Sequence, residues 1–413
     1  MYEETAKCIR CGYCLPTCPT YAVTGLEHAV ARGRNYLAKA IIEGDTEFSK
    51  HIKKSIYECL LCGACLDNCA PAVRTHEIMT AARSSFIQKF GQPPLQRYLF
   101  RELLLNPERM TRLMKLLSFG KRSGISGLVQ ALRIFSWFGK NIAHIETLLE
   151  TFPKTFLQEL ITTDSFENCD KSLKIGYFVG CGINYAFPDV GLATLKLLSK
   201  NNSVTVLNNY CCGLPASGYG DFEAARMLAQ KNLQLFNDAN CDLFVTDCAS
   251  CASFLNDYPN LFSENSEWFE LAQSMSRKTI DITDFLYQYP ITEKLQLDEL
   301  TTVTYHDPCH LSHYLHITEQ PRNLIKQIEG VEFRELPEAN WCCGGAGSYN
   351  ITHYEMSMKI LQRKMQNLKS TSAQILVTDC PGCLVQLSYG VRIHNLSVEV
   401  KHITQLLLQA SHI

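Results

Sequence analysis

The chain has 413 residues, 46% hydrophobic and 19% charged, which is apolar matter enough for two or three packed domains at roughly 100–200 residues each. Its formal charge of −2 offers no global basic field for nucleic acid, and no apolar run reaches the roughly 18 residues that a membrane-spanning helix needs. Met1 is followed by Glu3 and Glu4 rather than by a basic and then apolar leader, so export is disfavoured and a cytoplasmic location is expected. The unusual quantity is cysteine: of 20, all but Cys169 and Cys241 fall into tight groups. Disulfide scaffolds are usually small, secreted and short of core. Grouped thiols in a large chain with a full apolar complement point instead to metal or redox centres, and Cys169 and Cys241 to unligated thiols.

The first group is Cys8, Cys11, Cys14 and Cys18, followed by Pro19; the second, with the same spacing, is Cys59, Cys62, Cys65 and Cys69. Both are C-x2-C-x2-C-x3-C runs of the bacterial ferredoxin type, in which three close thiolates hold one cubane and the fourth reaches the other cluster. The expected ligand sets are therefore Cys8, Cys11, Cys14 and Cys69 for one [4Fe-4S] cluster, and Cys59, Cys62, Cys65 and Cys18 for the other. Gly12 and Gly63 sit inside the loops, where a small residue lets backbone N–H groups approach sulfur. The second run departs from the pattern in having Ala70 before Pro71. Zinc is the competing occupant, since eight thiols could make two four-ligand sites, but paired interleaved runs are more specific than a zinc ribbon. Between the runs, Arg32-Gly33-Arg34 and the helical spacing of Tyr36, Leu37, Ile41 and Ile42 predict a helix packed over the clusters, with Arg32 and Arg34 placed to tune potential or meet a partner.

Residues 75–165 carry no cysteine. Helix-period apolar positions recur at Leu95, Leu99 and Leu103, then Met110, Leu113, Met114 and Leu117, with breaks expected at Pro93-Pro94, Pro107 and Gly120. From Arg97 to Lys140 there are nine basic residues (Arg97, Arg101, Arg109, Arg112, Lys115, Lys121, Arg122, Arg133 and Lys140) against Glu102 and Glu108. With Phe135, Trp137 and Phe138, this stretch is a candidate for subunit docking or for peripheral contact with anionic lipid; a solvated basic face is the plain alternative.

The rest of the chain is an internal repeat, Lys174 to Leu255 aligning with Val303 to Leu387. In the first copy IGYFVGC ends at Cys181, Cys211-Cys212-Gly213 follows, and FVTDCASC supplies Cys248 and Cys251. The second copy runs through VTYHDPC to Cys309, Cys342-Cys343-Gly344, and LVTDCPGC with Cys380 and Cys383. Each copy reads βαβαβ, implying a parallel sheet with helices on its faces and five thiols at the carboxyl ends of strands, where open α/β sheets place ligands. No Gly-rich nucleotide fingerprint follows a strand, so the glycines at 180, 182 and 344–347 are read as room for backbone beside a cluster.

Taken together, the two ferredoxin runs and the two C…CCG…CxxC units resemble the cysteine-rich-domain family of respiratory iron–sulfur subunits. That family includes the iron–sulfur subunits of glycolate oxidase, D-lactate dehydrogenase and anaerobic glycerol-3-phosphate dehydrogenase, and the catalytic subunit of heterodisulfide reductase. HDPCHLSH, WCCGGAGSYN and PGCLVQ look most like the glycolate oxidase iron–sulfur subunit. In the heterodisulfide reductase branch each CCG unit holds a non-cubane [4Fe-4S] cluster on five cysteines. By that resemblance Cys181, Cys211, Cys212, Cys248 and Cys251 form one such site, and Cys309, Cys342, Cys343, Cys380 and Cys383 the other. Glycolate-type subunits often carry a non-cysteine residue where Cys380 stands; its retention here completes the second site.

The expected architecture is α+β with an α/β part: a di-cluster ferredoxin domain (1–90), a helical basic connector (91–168), and two pseudo-repeated CCG units with parallel sheets (169–290 and 291–413). His306, Asp307, His310 and His313 flank Cys309 as candidate ligands or proton donors, His310 first among them, or as residues that fix the loop. Asp247 and Asp379 precede the CxxC elements and are expected to cap the following helices. No general-base constellation, flavin motif or hydroxy-acid pocket is legible. The resemblance implies an electron-transfer subunit taking electrons from a partner FAD dehydrogenase that oxidises glycolate or D-lactate, and passing them to a quinone or another carrier. The alternatives are a heterodisulfide reductase-like catalytic subunit, and CCG units that hold zinc or form a redox-sensing disulfide.

Overall fold

Short β-branched and aromatic runs alternating with helix-period segments build two open sheets in the second half of the chain. The structure is a computed structural model, in which residues 2–123, 147–148, 152–161, 165–166 and 173–412 are described. Cys169, Arg133, Phe135, Trp137, Phe138 and Lys140 lie outside them. The first sheet contains β1 (Ser165–Phe166), β2 (Lys174–Tyr177), β3 (Ser203–Val206), β4 (Leu243–Thr246) and β5 (Thr279–Asp281) in the order β1-β3-β2-β4-β5. All neighbours are parallel except β1, which pairs antiparallel with β3 at the edge. The second contains β6 (Gln296–Tyr305), β7 (Glu329–Phe333), β8 (Ile375–Thr378) and β9 (Glu399–His402), all parallel, in the order β7-β6-β8-β9. β5 and β9 were not expected. At three and four residues they show no apolar run, and pairing with β4 and β8 alone makes them strands.

The middle strands of each sheet are covered on both sides and so are buried without alternation: Ile175 to Tyr177 in the first and Val303, Thr304 and Tyr305 in the second. Ile175, Val303 and Ile375 share one core with Leu157, Ile282 and Leu406, so the repeats are packed as one body. The helix Ile403–Ser411 that ends the second repeat lies on helix Pro188–Ser199 of the first, and helix Ile282–Gln288 of the first lies on Glu319–Lys326 of the second. This reciprocal exchange gives the pair a pseudo-twofold relation. The order of the strands reverses between β2 and β4 and again between β6 and β8, and at such switch points the strand ends leave a crevice.

The N-terminal residues form short helices around two thiol loops. The core of this part is Ala38, Ile52, Ile56, Val73, Ile78, Met79 and Ala82. Helix Ala31–Glu43 occupies the expected insert, but Tyr36 and Ile42 face outward (50% and 37% exposed), while Leu37 and Ile41 pack on the core. Ala38 completes the buried face, a stripe narrower than the four larger apolar residues suggested.

In the connector, Pro94–Tyr98 runs into a π-helical turn, Leu99–Leu103, and Asn106 caps helix Pro107–Arg122 by accepting from the Arg109 N–H at 3.1 Å. Gly120 does not end that helix; a single glycine costs only about 1 kcal/mol, and the helix continues to Arg122. Leu95 and Leu117 face outward, while Phe100, Leu103 and Leu104 are buried. The Arg101 guanidinium reaches the Asp221 carboxylate at 3.0 Å, tying the connector to the first repeat.

One glycine fixes how the N-terminal part meets that repeat. Gly220 has φ +91°, and a Cβ there would lie 2.5 Å from the Ser84 nitrogen and 2.6 Å from the Arg83 carbonyl carbon. Both neighbours are backbone and cannot swing away. Gly220→Ala should therefore destabilise the chain by roughly 2–4 kcal/mol, read as a lower denaturant midpoint, through left-handed strain and overpacking together. The mutation Gly44→Ala, also at positive φ but with open space around it, should cost less.

Candidate metal centres

The backbone of the first thiol loop turns at Gly12 (φ +92°), and that of the second at Gly63 (φ +77°). A hollow lined by Cys8, Cys11, Cys14, Cys65 and Cys69 lies on one side of this domain, and a second lined by Cys18, Cys59, Cys62 and Cys65 lies beside it. Cys18 leaves its own run because it is the N-cap of helix Pro19–Thr24. Helix Ala64–Asp67 likewise separates Cys69 from the rest of its run. Arg34 is buried and donates to the Ser55 carbonyl (2.8 Å) and the Thr20 hydroxyl (3.1 Å), with its Nη1 4.0 Å from Cys18 Sγ. Arg32 pairs instead with Glu27 near the surface. Cys11 is exposed at the outer rim, beside exposed Ile9 and Tyr13.

In the two repeats the thiols form a single row. Cys211 contacts Cys181 and Cys212, Cys212 contacts Cys251, and Cys251 contacts Cys248. Cys248 meets Cys380 of the other repeat, and Cys380 meets Cys383. Cys383 and Cys343 are 3.7 Å apart, Cys343 contacts Cys342, and Cys342 contacts both Cys309 and Cys62 of the ferredoxin part. Sequence reasoning treated the two five-thiol groups as separate; the fold joins them end to end and continues the row into the N-terminal domain.

Such a row cannot ionise as a whole without a counter-cation, because each thiolate repels the next. The S–H groups of Cys211 and Cys251 bring Cys212 down to about 5. Contacts with Cys342 and Cys383 hold Cys343 well below the ordinary thiol range, and contacts with Cys248 and Cys383 do the same for Cys380. Between them, Cys251 and Cys383 are pushed up by the thiols they donate to and by burial. Ligation of a metal by these sulfurs would require the raised thiols to give up their protons, so binding would be coupled to proton release.

Backbone closes in on the row where glycine allows it. A Cβ on Gly180 would stand 3.1 Å from Cys248 Cβ, and one on Gly345 would stand 3.4 Å from Cys343 Sγ. Cys241 lies apart, buried, with its Sγ directed at the Ala239 carbonyl.

Two of the expected roles change. Asp247 and Asp379 cap no helix: the N-cap residues are Cys248 and Cys380, and neither helix has a side-chain cap. Asp247 instead accepts from the Tyr177 hydroxyl at 2.5 Å and the Thr194 hydroxyl at 2.8 Å. Asp379 accepts from Tyr305 at 2.6 Å and Thr283 at 2.9 Å. Strand ends β4 and β8 aim these carboxyls into the core, and burial raises them to about 6 and about 7.

The residues around Cys309 divide into three kinds. Asp307 is buried and held by both Nη atoms of Arg322 at 2.8 Å, so it fixes the loop. His313 bonds Asp67 through Nδ1, and His310 bonds the Ser250 hydroxyl at 3.1 Å while stacking on Tyr314. His306, by contrast, is bonded to nothing through either ring nitrogen, and it forms a buried group with Cys343 and Cys383 in which one ligand atom from each lies within 4.8 Å of the others.

Sequence reading missed the residues that seat the ferredoxin part. Arg83 is buried and donates to the carbonyls of Cys59 (2.6 Å) and Gly218 (2.5 Å). The Tyr314 hydroxyl donates to the Leu61 carbonyl at 2.7 Å, and that of Tyr349 to the Glu58 carbonyl at 3.0 Å. Ser250, inside the C-A-S-C loop, approaches Cys380 Sγ at 3.4 Å. Only the last had a signal, a hydroxyl between two cysteines.

Two ferredoxin-type thiol loops seated on a duplicated α/β cysteine-rich unit define an iron–sulfur protein, and the donor set, thiol-rich and bordered by one unpartnered imidazole, fits such clusters. The cysteine-rich domain family matches residues 175–256 and 303–388, the 4Fe-4S dicluster domain matches 4–73, and the linker region of the glycolate oxidase iron-sulfur subunit matches 91–149. The chain belongs to the glycolate oxidase iron–sulfur subunit family. It is 33% identical, over 99% of its length and 94% of the relative, to the probable glycolate oxidase iron-sulfur subunit of Bacillus subtilis. It is also 32% identical to lactate utilization protein A of Shouchella clausii and 29% identical to that of Bacillus licheniformis, in each case over 57% of this chain, covering 98% and 99% of those proteins. Among the described residues no helix is long and apolar enough to cross a membrane.

Proposed function

We propose that this chain is the electron-transfer subunit of a flavin-dependent 2-hydroxy-acid dehydrogenase, taking electrons from a separate FAD subunit that oxidises glycolate or D-lactate. The observation that carries this reading is the unbroken row of thiols from Cys62 to Cys181. Iron–sulfur clusters bound along it supply one-electron transfer at potentials set by their ligands and by hydrogen bonds to sulfur. Cys8, Cys11, Cys14 and Cys69 would hold one cubane, and Cys18, Cys59, Cys62 and Cys65 the other. Cys181, Cys211, Cys212, Cys248 and Cys251 would hold the first CCG centre, and Cys309, Cys342, Cys343, Cys380 and Cys383 the second.

The chain's own contribution is to bury these sulfurs from water and to set the domains at fixed separations. Arg83, Tyr314 and Tyr349 lock the Cys59 loop against the repeats, and Arg34 presents a buried cation to Cys18. Exposed Cys11, Ile9 and Tyr13 make the outer rim of the first loop the end where a flavoprotein or carrier would dock. The same reading divides the chain at 1–90, 91–168, 169–290 and 291–413, ends the path at a quinone or another carrier, and gives residues 97–140 peripheral contact with a second subunit or an anionic membrane surface. The presence of Cys380 beside Cys248 favours one second reading, a heterodisulfide reductase-like site that cleaves a disulfide.

Anaerobic isolation of the complex, with iron, sulfide and zinc analysis and EPR, tests the proposal. About 16 irons per chain, a co-purifying flavoprotein and clusters reduced on adding glycolate or D-lactate are expected. About eight irons with zinc present, or clusters that stay oxidised with both acids, would overturn it. Reduction of an added disulfide by the isolated chain would move the assignment to the second reading.

A further inference from the structure

The repeats correspond residue for residue at the end of their first strand, IGYFVGC matching VTYHDPC. Phe178 and His306 follow Tyr177 and Tyr305, and the N–H of each donates at 2.9 Å to the strand beside it, to Val245 and Val377 respectively. Because successive side chains on a strand alternate, both residues point to the face opposite the tyrosine. In the first repeat that position is apolar: Phe178 stacks on Phe236 at 5.9 Å and packs with Cys212, Cys248 and Cys251. In the second repeat an imidazole takes its place against the corresponding thiols Cys343 and Cys383.

A histidine in such a position needs an explanation. It is 1% exposed, and neither Nδ1 nor Nε2 has a hydrogen-bond partner. Leaving one buried polar group unpaired costs about 1–3 kcal/mol, and phenylalanine already fills the equivalent space without that cost. Asp307, the adjacent carboxylate, is fully engaged by Arg322, so it does not orient the ring. His310, the histidine nearest to Cys309 in sequence, already has Ser250 as a partner. Within reach of the ring are the Ala339 backbone, which it does not meet in hydrogen-bond geometry, and sulfur, in the geometry of a shared ion.

We propose that His306 is a ligand of the iron–sulfur centre in the second cysteine-rich unit, binding iron through one ring nitrogen alongside Cys343 and Cys383. This rests on the reading that the second unit holds iron. It makes the two centres chemically unequal: the first is surrounded by thiolates and Phe178, the second has a neutral nitrogen donor.

The test uses the full chain, isolated anaerobically with its partner after growth on 15N-labelled histidine. Pulsed EPR is recorded on dithionite-reduced and on oxidised samples, beside iron analysis. The expected result is a strong nitrogen coupling of a directly bound histidine in one centre. It is lost in His306→Phe, which copies the first repeat, and kept in His310→Asn, with both cubane signals unchanged. His306→Asn serves if the phenylalanine variant does not fold, and it too should lose the coupling. Iron at the second centre with no such coupling in either redox state overturns this inference and leaves the electron-transfer reading standing. Coupling that survives in the His306 variants, or that vanishes only in His310→Asn, overturns it as well. Iron too low to fill the second unit overturns both.

Discussion

Cys11→Ala should remove about four irons per chain and lower the stability of the N-terminal part through ligation alone. Cys11 is exposed, so its loss deletes no core contact; whatever stability disappears comes from ligation alone. That separates it from Cys18, which is buried and also accepts from Arg34. The N-terminal core is small, seven buried apolar residues, and domains of this size lean on metal for much of their folding free energy. Iron analysis with EPR reads the first effect, and limited proteolysis between residues 1 and 90 reads the second. Unchanged iron in the variant would remove Cys11 from the ligand set.

The second large effect is expected from Arg322→Ala. Arg322 holds Asp307 with two bonds at 2.8 Å and also reaches Glu335 at 2.6 Å. Asp307 is 4% exposed, so removing the guanidinium strands a carboxylate in the core, at a cost of roughly 3–5 kcal/mol. The loop that carries Cys309 follows directly, and iron in the second unit should fall with stability. Combining Arg322→Ala with Asp307→Asn should recover part of the loss, since the double variant has no charge to strand; denaturant unfolding of the four proteins measures the coupling. If the double variant is no more stable than Arg322→Ala alone, the damage comes from lost packing rather than from the charge.

Much of the site could be read from the sequence because ligand spacing within a loop is a covalent property. C-x2-C-x2-C-x3-C and CCG…CxxC are legible without knowing the fold, and so is the position of each group after a strand. What could not be read depends on residues distant in the chain. An aspartate just before a helix reads as a cap by local rule, but Asp247 is claimed by Tyr177, 70 positions away, and by Thr194, 53 away. Local spacing likewise named His310 as the foremost candidate beside Cys309, whereas Ser250 occupies it and the unpartnered ring is that of His306. The meeting of Cys248 with Cys380 is a packing outcome of the exchanged helices, with no counterpart in the linear pattern.

That meeting also dictates an order of events during synthesis. Ser250 and Cys380, in contact in the folded chain, are 130 positions apart, so the sulfur neighbours of the first repeat are incomplete until the segment carrying Cys380 has left the ribosome. The ferredoxin loops need nothing beyond Cys69 for their eight thiols, and can be loaded on the nascent chain. Maturation of the buried pair thereby waits for the second repeat, and a chain truncated before Cys380 is defective in both halves of the seam.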